Sequence, residues 1–178
     1  MLEVEVKIKI EKANIEEKLT DLGFIKESSV YELDTYFNSE MMDLKKADKA
    51  LRIRKHKDID SGEINYVLNF KGPKVDDITM TRQETEFEIP SFSDGELVLN
   101  GLGFYAAGNV EKTRTHYIKE EITCCLDSVI GLGDFLEIEI MAEEKDYDTA
   151  INNIDELLKK LGLSMEDTIN SSYLCMLN

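Results

Sequence analysis

The chain of 178 residues has no tryptophan, two prolines, two histidines and three cysteines. Each scarcity closes off a class of explanation. Cys124 and Cys125 are adjacent and Cys175 is remote, so there is no CxxC pair and no disulfide framework. With His56 and His116 as the only histidines, a Cys/His zinc site lacks ligands. A reducing, cytoplasmic location is the expectation. No hydrophobic run approaches the ~18 residues of a membrane-spanning helix. Strand-like sequence from Leu2 onward leaves no signal-peptide pattern. Positive charge is also short: 21 Lys and Arg stand against 37 Asp and Glu, a net charge of −16. General nucleic-acid binders need a basic surface to displace counterions, and anionic membranes repel an acidic one. Neither nucleic acid nor membrane is therefore an expected partner, and an anionic ligand must find a local concentration of basic groups.

What is present is alternation. It marks strands at Leu2–Ile10, Tyr31–Asn38, Ala50–His56, Glu63–Lys71, Thr79–Ile89, Val110–Tyr117, Lys119–Ser128 and Gly133–Met141. Gly72-Pro73 and Gly131–Gly133 read as turns. Helical spacing appears at Asn14–Leu22, stopped by Gly23, and at Asp146–Leu161, stopped by Gly162. Shorter helices are expected at Ser93–Gly101 and Ser171–Leu177. Pro73 and Pro90 sit at strand ends, where they remove no ladder hydrogen bond. With no linker in view, residues 1–178 read as one domain.

The polar faces of these strands are charged, not merely hydrophilic. Glu3, Glu5, Lys7 and Lys9 oppose Val4, Val6, Ile8 and Ile10. Arg52, Arg54 and His56 oppose Leu51 and Ile53; Asn69 and Lys71 oppose Leu68 and Phe70. Arg82, Glu84, Glu86 and Glu88 share a face, as do Lys112, Arg114 and His116, and Glu137 with Glu139. A single amphipathic strand of this kind is usually solvated on its charged side. About eight of them favour closure, which removes sheet edges. Amphipathic helices then coat the apolar outside, and the charges turn inward. The expected fold is α+β: a closed eight-stranded antiparallel β-barrel with a charged interior, flanked by outer α-helices. Its interior would hold the acids Glu3, Glu5, Glu84, Glu86, Glu88, Asp127, Glu137 and Glu139. The bases would be Lys7, Lys9, Arg52, Arg54, Lys71, Arg82, Lys112 and Arg114. Near balance of sign makes such an interior tolerable, since unpaired buried charge costs several kcal/mol.

Glu3-Val4-Glu5-Val6-Lys7 is the sharpest local signal. Alternate strand residues lie ~7 Å apart on one face. Two carboxylates so placed suit Mg²⁺, with an ammonium next in line for a phosphate oxygen. Glu137-Ile138-Glu139, with Asp127, repeats the device. Arg52, Arg54, Lys112 and Arg114 are the basic counterparts, Arg offering a planar fork to phosphate oxygens. No P-loop and no Ser/His/Asp order is present.

These residues resemble the CYTH, or triphosphate tunnel, superfamily almost end to end. The stretches that carry the resemblance are EVEVK at 3–7, DTYF at 34–37, ALRIR at 50–54 and NFKGP at 69–73. They continue with TRQETEFEI at 81–89, VEKTR at 110–114, LDSVIGLGDFLEIE at 126–139 and SSYL at 171–174. In order and spacing they look most like the class IV adenylate cyclase-type branch. Asn69 stands where Thr is common, and Cys175 where Glu is common. The resemblance implies Mg²⁺- or Mn²⁺-dependent chemistry on a triphosphate. Glu3, Glu5, Asp127, Glu137 and Glu139 would be metal ligands. Lys7, Arg52, Arg54, Lys71, Arg82, Lys112 and Arg114 would bind the triphosphate, with Glu5, Lys7, Lys112, Arg114 and Glu137 catalytic. The expected reaction is ATP to cyclic AMP plus pyrophosphate. The alternative is hydrolysis of tripolyphosphate, thiamine triphosphate or a nucleoside triphosphate on the same scaffold. A non-catalytic polyphosphate or nucleotide binder is disfavoured by the full acidic set. The branch resembled also implies a homodimer.

Overall fold

The computed structural model describes residues 2–75 and 79–178. Its strands are β1 (Leu2–Lys9), β2 (Ile25–Ser39), β3 (Ala50–Asp58), β4 (Ile64–Lys74), β5 (Arg82–Ile89), β6 (Phe104–Lys119), β7 (Ile122–Val129) and β8 (Gly133–Ala142). They close into a barrel in the order β1-β5-β4-β3-β2-β6-β7-β8, every neighbouring pair antiparallel. The expected fold is the observed one. The seam is β1–β5, joined through the single register pair Glu3–Arg82, with Met80 N–H donating to the Glu5 carbonyl just beyond it (2.9 Å).

Four helices lie outside: α1 (Lys12–Asp21), α2 (Phe92–Gly101), α3 (Tyr147–Leu161) and α4 (Tyr173–Leu177). α1 and α3 present Ile15, Leu19, Ile154, Leu158 and Leu161 to the outer faces of β1, β7 and β8, where Val4, Val6, Ile8, Leu126, Leu136 and Ile138 are buried. Gly162 ends α3 in the left-handed conformation (φ 78°), which costs glycine nothing. α2 covers Phe37, Leu51 and Ile53. α4 packs with Val110, Val129 and Phe135. None of the described helices is long and apolar enough to cross a membrane.

Four elements differ from the sequence expectation. β2 starts at Ile25 and β6 at Phe104, each about six residues early. In the extra turns of ribbon Ile25 is exposed and Ala106, Ala107 and Gly108 are small, so backbone pairing persists where apolar alternation does not. β5 starts at Arg82 rather than Thr79, and part of the approach to it lies outside the described residues. Gly72 and Pro73 belong to β4, where the register with β5 shifts between Lys71 and Lys74. The inward set also needs correction. Lys9 and Glu88 are exposed at strand ends, whereas Glu86, though exposed, lines the cavity and accepts from Asn69 Nδ2 (3.1 Å).

Candidate functional site

A cavity of about 740 Å³ occupies the barrel, lined by β1 to β6, β8, the segment 44–50 and the C-terminal segment. Ten of its lining side chains are Lys or Arg and seven are Asp or Glu, in a chain whose overall balance is 21 to 37. The basic groups are concentrated on the cavity wall, against the acidic balance of the whole chain.

Strand register determines which charges meet. Lys7 faces Glu137, Lys71 faces Glu84, Arg54 faces Asp34, Lys112 faces Glu32 and Arg114 faces Asp127. Against this pattern of opposite pairs, Glu5 faces Glu139. Like charges directly opposite are destabilising, so this is where the barrel wall calls for an added cation. Donor atoms of Glu3, Glu5 and Glu84 all lie within 4.8 Å of one another beside that pair. Burial, with Glu139 and Glu84 adding to it against Lys71, pushes Glu3 up to about 9. Burial and the Glu137 charge, against Lys7, push Glu5 up to about 7. For Glu84 burial is outweighed by Lys71, which pairs with it closely, and the carboxyl falls to about 2. Lys71 also lies 3.7 Å from Glu3. All-oxygen, with Glu5 buried, Glu3 and Glu84 half-buried and Lys71 the cation nearest Glu3 and Glu84, this donor set fits Mg²⁺ or Mn²⁺ and offers nothing to a softer ion.

The basic groups are held by partners, two of which the sequence reading passed over. Asp34 accepts from Arg54 Nε (2.7 Å) and Nη2 (2.8 Å) and from Arg52 Nη1 (3.0 Å). Glu32 pairs with Arg54 Nη1 (2.9 Å) and Lys112 Nζ (3.4 Å). Both acids are about 2% exposed. Burial alone would raise them. The Arg54 and Lys112 charges hold Glu32 well below the carboxylate range, and Arg52 and Arg54 lower Asp34. Their signal was in the alternation of Tyr31–Asn38, where they occupy i and i+2 of one face. Among the described residues Arg52 Nε is buried without an acceptor, an orphan donor beside the cavity.

The remaining expected residues divide. Lys7 lies 3.1 Å from Glu137 and 3.8 Å from Glu5. Arg114 pairs with Glu137 and, at 3.3 Å, with Glu139. Arg82 lines the cavity but donates to the Gly72 carbonyl (3.1 Å) and lies 3.6 Å from Asp48, so it ties the seam to the mouth. Asp127 is fully buried and is not among the lining residues. Tyr173, unforeseen, enters the interior from α4, its ring 4.3 Å from Lys7 Nζ and 5.2 Å from Lys112 Nζ.

The CYTH domain model matches residues 1–173. A Methanocaldococcus jannaschii protein named as a proposed adenylate cyclase is 38% identical over 176 residues, covering 98% of this chain and 97% of its own. The PH1819 protein of Pyrococcus horikoshii superposes with a TM-score of 0.89 at 34% identity, covering 98% and 97%. A Hippeastrum protein, a proposed adenylyl cyclase whose structure is described as revealing a dominant triphosphatase activity, superposes with a TM-score of 0.68 at 20% identity over 98% and 94%. At that identity the likeness speaks for the fold.

Proposed function

This chain belongs to the CYTH domain family, and from that premise we propose that it is a divalent-metal-dependent enzyme acting on a triphosphate held in the barrel, converting ATP to cyclic AMP and pyrophosphate. The observation that carries the reading is the single cavity in which a Glu3–Glu5–Glu84 cluster adjoins ten basic side chains.

Glu3, Glu5 and Glu84, with Glu139 beside them, would hold the metal, as would Glu137 were Arg114 and Lys7 drawn off to phosphate. When bound, the ion supplies Lewis-acid neutralisation of phosphate charge and lowers the pKa of a coordinated hydroxyl. Arg52 offers its unpaired Nε to a phosphate oxygen. Arg54, Lys112 and Arg114, already fixed by Glu32, Asp34 and Asp127, meet developing charge with little reorganisation, which is the main source of electrostatic catalysis. Lys7 and Lys71 flank the acid cluster and neutralise the oxygens nearest it. The ribose 3′-hydroxyl gives up its proton to solvent, its oxygen attacks the α-phosphorus, and the bond from that phosphorus to the bridging oxygen breaks to release pyrophosphate; no side-chain nucleophile takes part.

A second reading, hydrolysis of a triphosphate, draws on the triphosphatase activity described for the Hippeastrum protein of the same fold. The test is to incubate purified protein with Mg²⁺ or Mn²⁺ and, in parallel, ATP, tripolyphosphate and thiamine triphosphate. Cyclic AMP with pyrophosphate is the expected outcome; orthophosphate from any substrate establishes the second reading, and no product from any of them refutes both.

A further inference from the structure

Asp127 is fully buried and meets four protein donors. Oδ1 accepts from Arg114 Nε (2.7 Å); Oδ2 accepts from Lys112 Nζ (2.7 Å), Arg114 Nη2 (2.7 Å) and the Tyr173 hydroxyl (2.9 Å). A carboxylate has about four lone-pair sites, two on each oxygen; three donors crowd Oδ2 and one takes Oδ1, whose remaining site is shut off from solvent because the side chain is fully buried. A metal at Asp127 would have to displace Lys112, Arg114 or Tyr173 from a fully buried carboxylate. The carboxylates that crowd one another lie elsewhere, at Glu3, Glu5 and Glu84, where Lys71, shared between Glu84 and Glu3, and Lys7, 3.8 Å from Glu5, are the nearby cations.

Tyr173 is placed to serve the same cations. Its ring lies beneath Lys7 and Lys112 and edge-on to Phe135 (centroids 5.0 Å). The segment leading to it is anchored to β1: Ile169 N–H donates to the Lys7 carbonyl (2.7 Å), and Lys7 Nζ donates to the Ser171 carbonyl (3.4 Å). Just after it, Leu174 packs so closely on Gly108 that a Cβ there would lie 2.8 Å from Leu174 Cδ1. The C-terminal segment is thus built into the cavity wall.

We propose that Asp127 and Tyr173 form a positioning pair that aims Lys112 and Arg114 at the bound phosphates, and that Asp127 takes no metal. The proposal rests on the triphosphate reading and replaces the metal-ligand role that family resemblance implies for Asp127. Asp127 fixes the spacing of the two cations, and the phenol holds Asp127 Oδ2 while the ring offers its face to the ammonium groups.

The test uses the full chain and two probes: Mn²⁺ alone, followed by electron paramagnetic resonance, and an imido-bridged tripolyphosphate analogue, followed by calorimetry. Asp127→Asn is expected to bind Mn²⁺ as wild type does, whereas Glu5→Gln binds it weakly. For the analogue, Asp127→Asn should lose ~10-fold or more in affinity, the scale of a charge-assisted hydrogen bond. Tyr173→Phe should lose about threefold, and Tyr173→Leu more, because the cation–π contacts go too. Asp127→Asn combined with Tyr173→Phe should be no worse than Asp127→Asn alone, since both remove one shared bond. Loss of Mn²⁺ binding in a folded Asp127→Asn protein overturns the proposal. So does wild-type affinity for the analogue in both Tyr173 variants, which decides the matter if Asp127→Asn fails to fold. A wild-type protein that does not bind the analogue refutes the triphosphate reading itself and the pair's phosphate role with it; the Mn²⁺ comparison still decides whether Asp127 is a ligand.

Discussion

Glu3 and Glu5 are carboxyls whose burial favours the proton, and this has consequences in solution. Their ordinary value is 4.5, and in the fold they lie at about 9 and about 7. Between those values the folded chain binds more protons than the unfolded one, so stability of the metal-free protein falls as pH rises. His116 pulls the other way at lower pH, since burial and the Arg114 charge lower it from 6.5 to about 4. The acids therefore dominate from about pH 6.5 to 9. Urea melts across that window should show declining stability without metal and little decline with saturating Mn²⁺, and Mn²⁺ affinity should rise with pH as protons are released. Asp34 makes a second case. Asp34→Ala leaves two buried guanidinium groups short of a partner, a loss of about 3–5 kcal/mol, measurable by denaturant unfolding. These residues mark the limit of legibility at this scale. Glu3, Glu5, Lys71 and Arg114 stood out because charges recurred at i, i+2 on otherwise apolar strands. Glu32 and Asp34 followed the same spacing, but nothing local distinguishes a buried acid from a solvated one; its burial comes from the strands on either side.

At the scale of elements, the eight strands and four helices were readable wherever one face buries against something. β1, β3 and β8 carry their alternation to their ends because α1, α2 and α3 cover them. The first residues of β2 pair backbone to backbone while exposed, and early β6 is covered only in places, by Phe104 against the α2 cluster and Leu174 over Gly108, so sequence periodicity has little to report there. α4 was legible as a short helix, yet the entry of Tyr173 into the barrel was not, because it depends on contacts with Asp127 and Phe135 far away in sequence. Close approach of α2 to the barrel yields a prediction. A Cβ on Gly95 would lie 2.6 Å from Ile89 Cδ1 and 2.8 Å from Ile53 Cδ1, and Ile53 is fully buried. Overpacking of about 1–3 kcal/mol exceeds the helical gain of up to ~1 kcal/mol for replacing glycine. Gly95→Ala should therefore lower the melting temperature despite its better helix propensity.

For the whole molecule, an acidic exterior surrounds a basic interior. On the proposed function, a net charge of −16 would repel extended polyanions, whereas a triphosphate inside the barrel would meet the lining bases directly. A single-stranded RNA of about 20 nucleotides should fail to compete with the tripolyphosphate analogue at moderate salt, since counterion release needs a continuous basic surface; displacement would show that the cations are reachable from outside. The central claim is that phosphate and metal are bound together by the same enclosed charges. It is tested most directly by calorimetric titration of the analogue into the protein with and without Mn²⁺, in wild type, Arg52→Ala and Glu5→Gln. The account predicts one site per chain that strengthens with Mn²⁺, weakens by ~10-fold or more in Arg52→Ala, and loses its Mn²⁺ dependence in Glu5→Gln. Equal affinity with and without Mn²⁺, or wild-type binding by both variants, would contradict it.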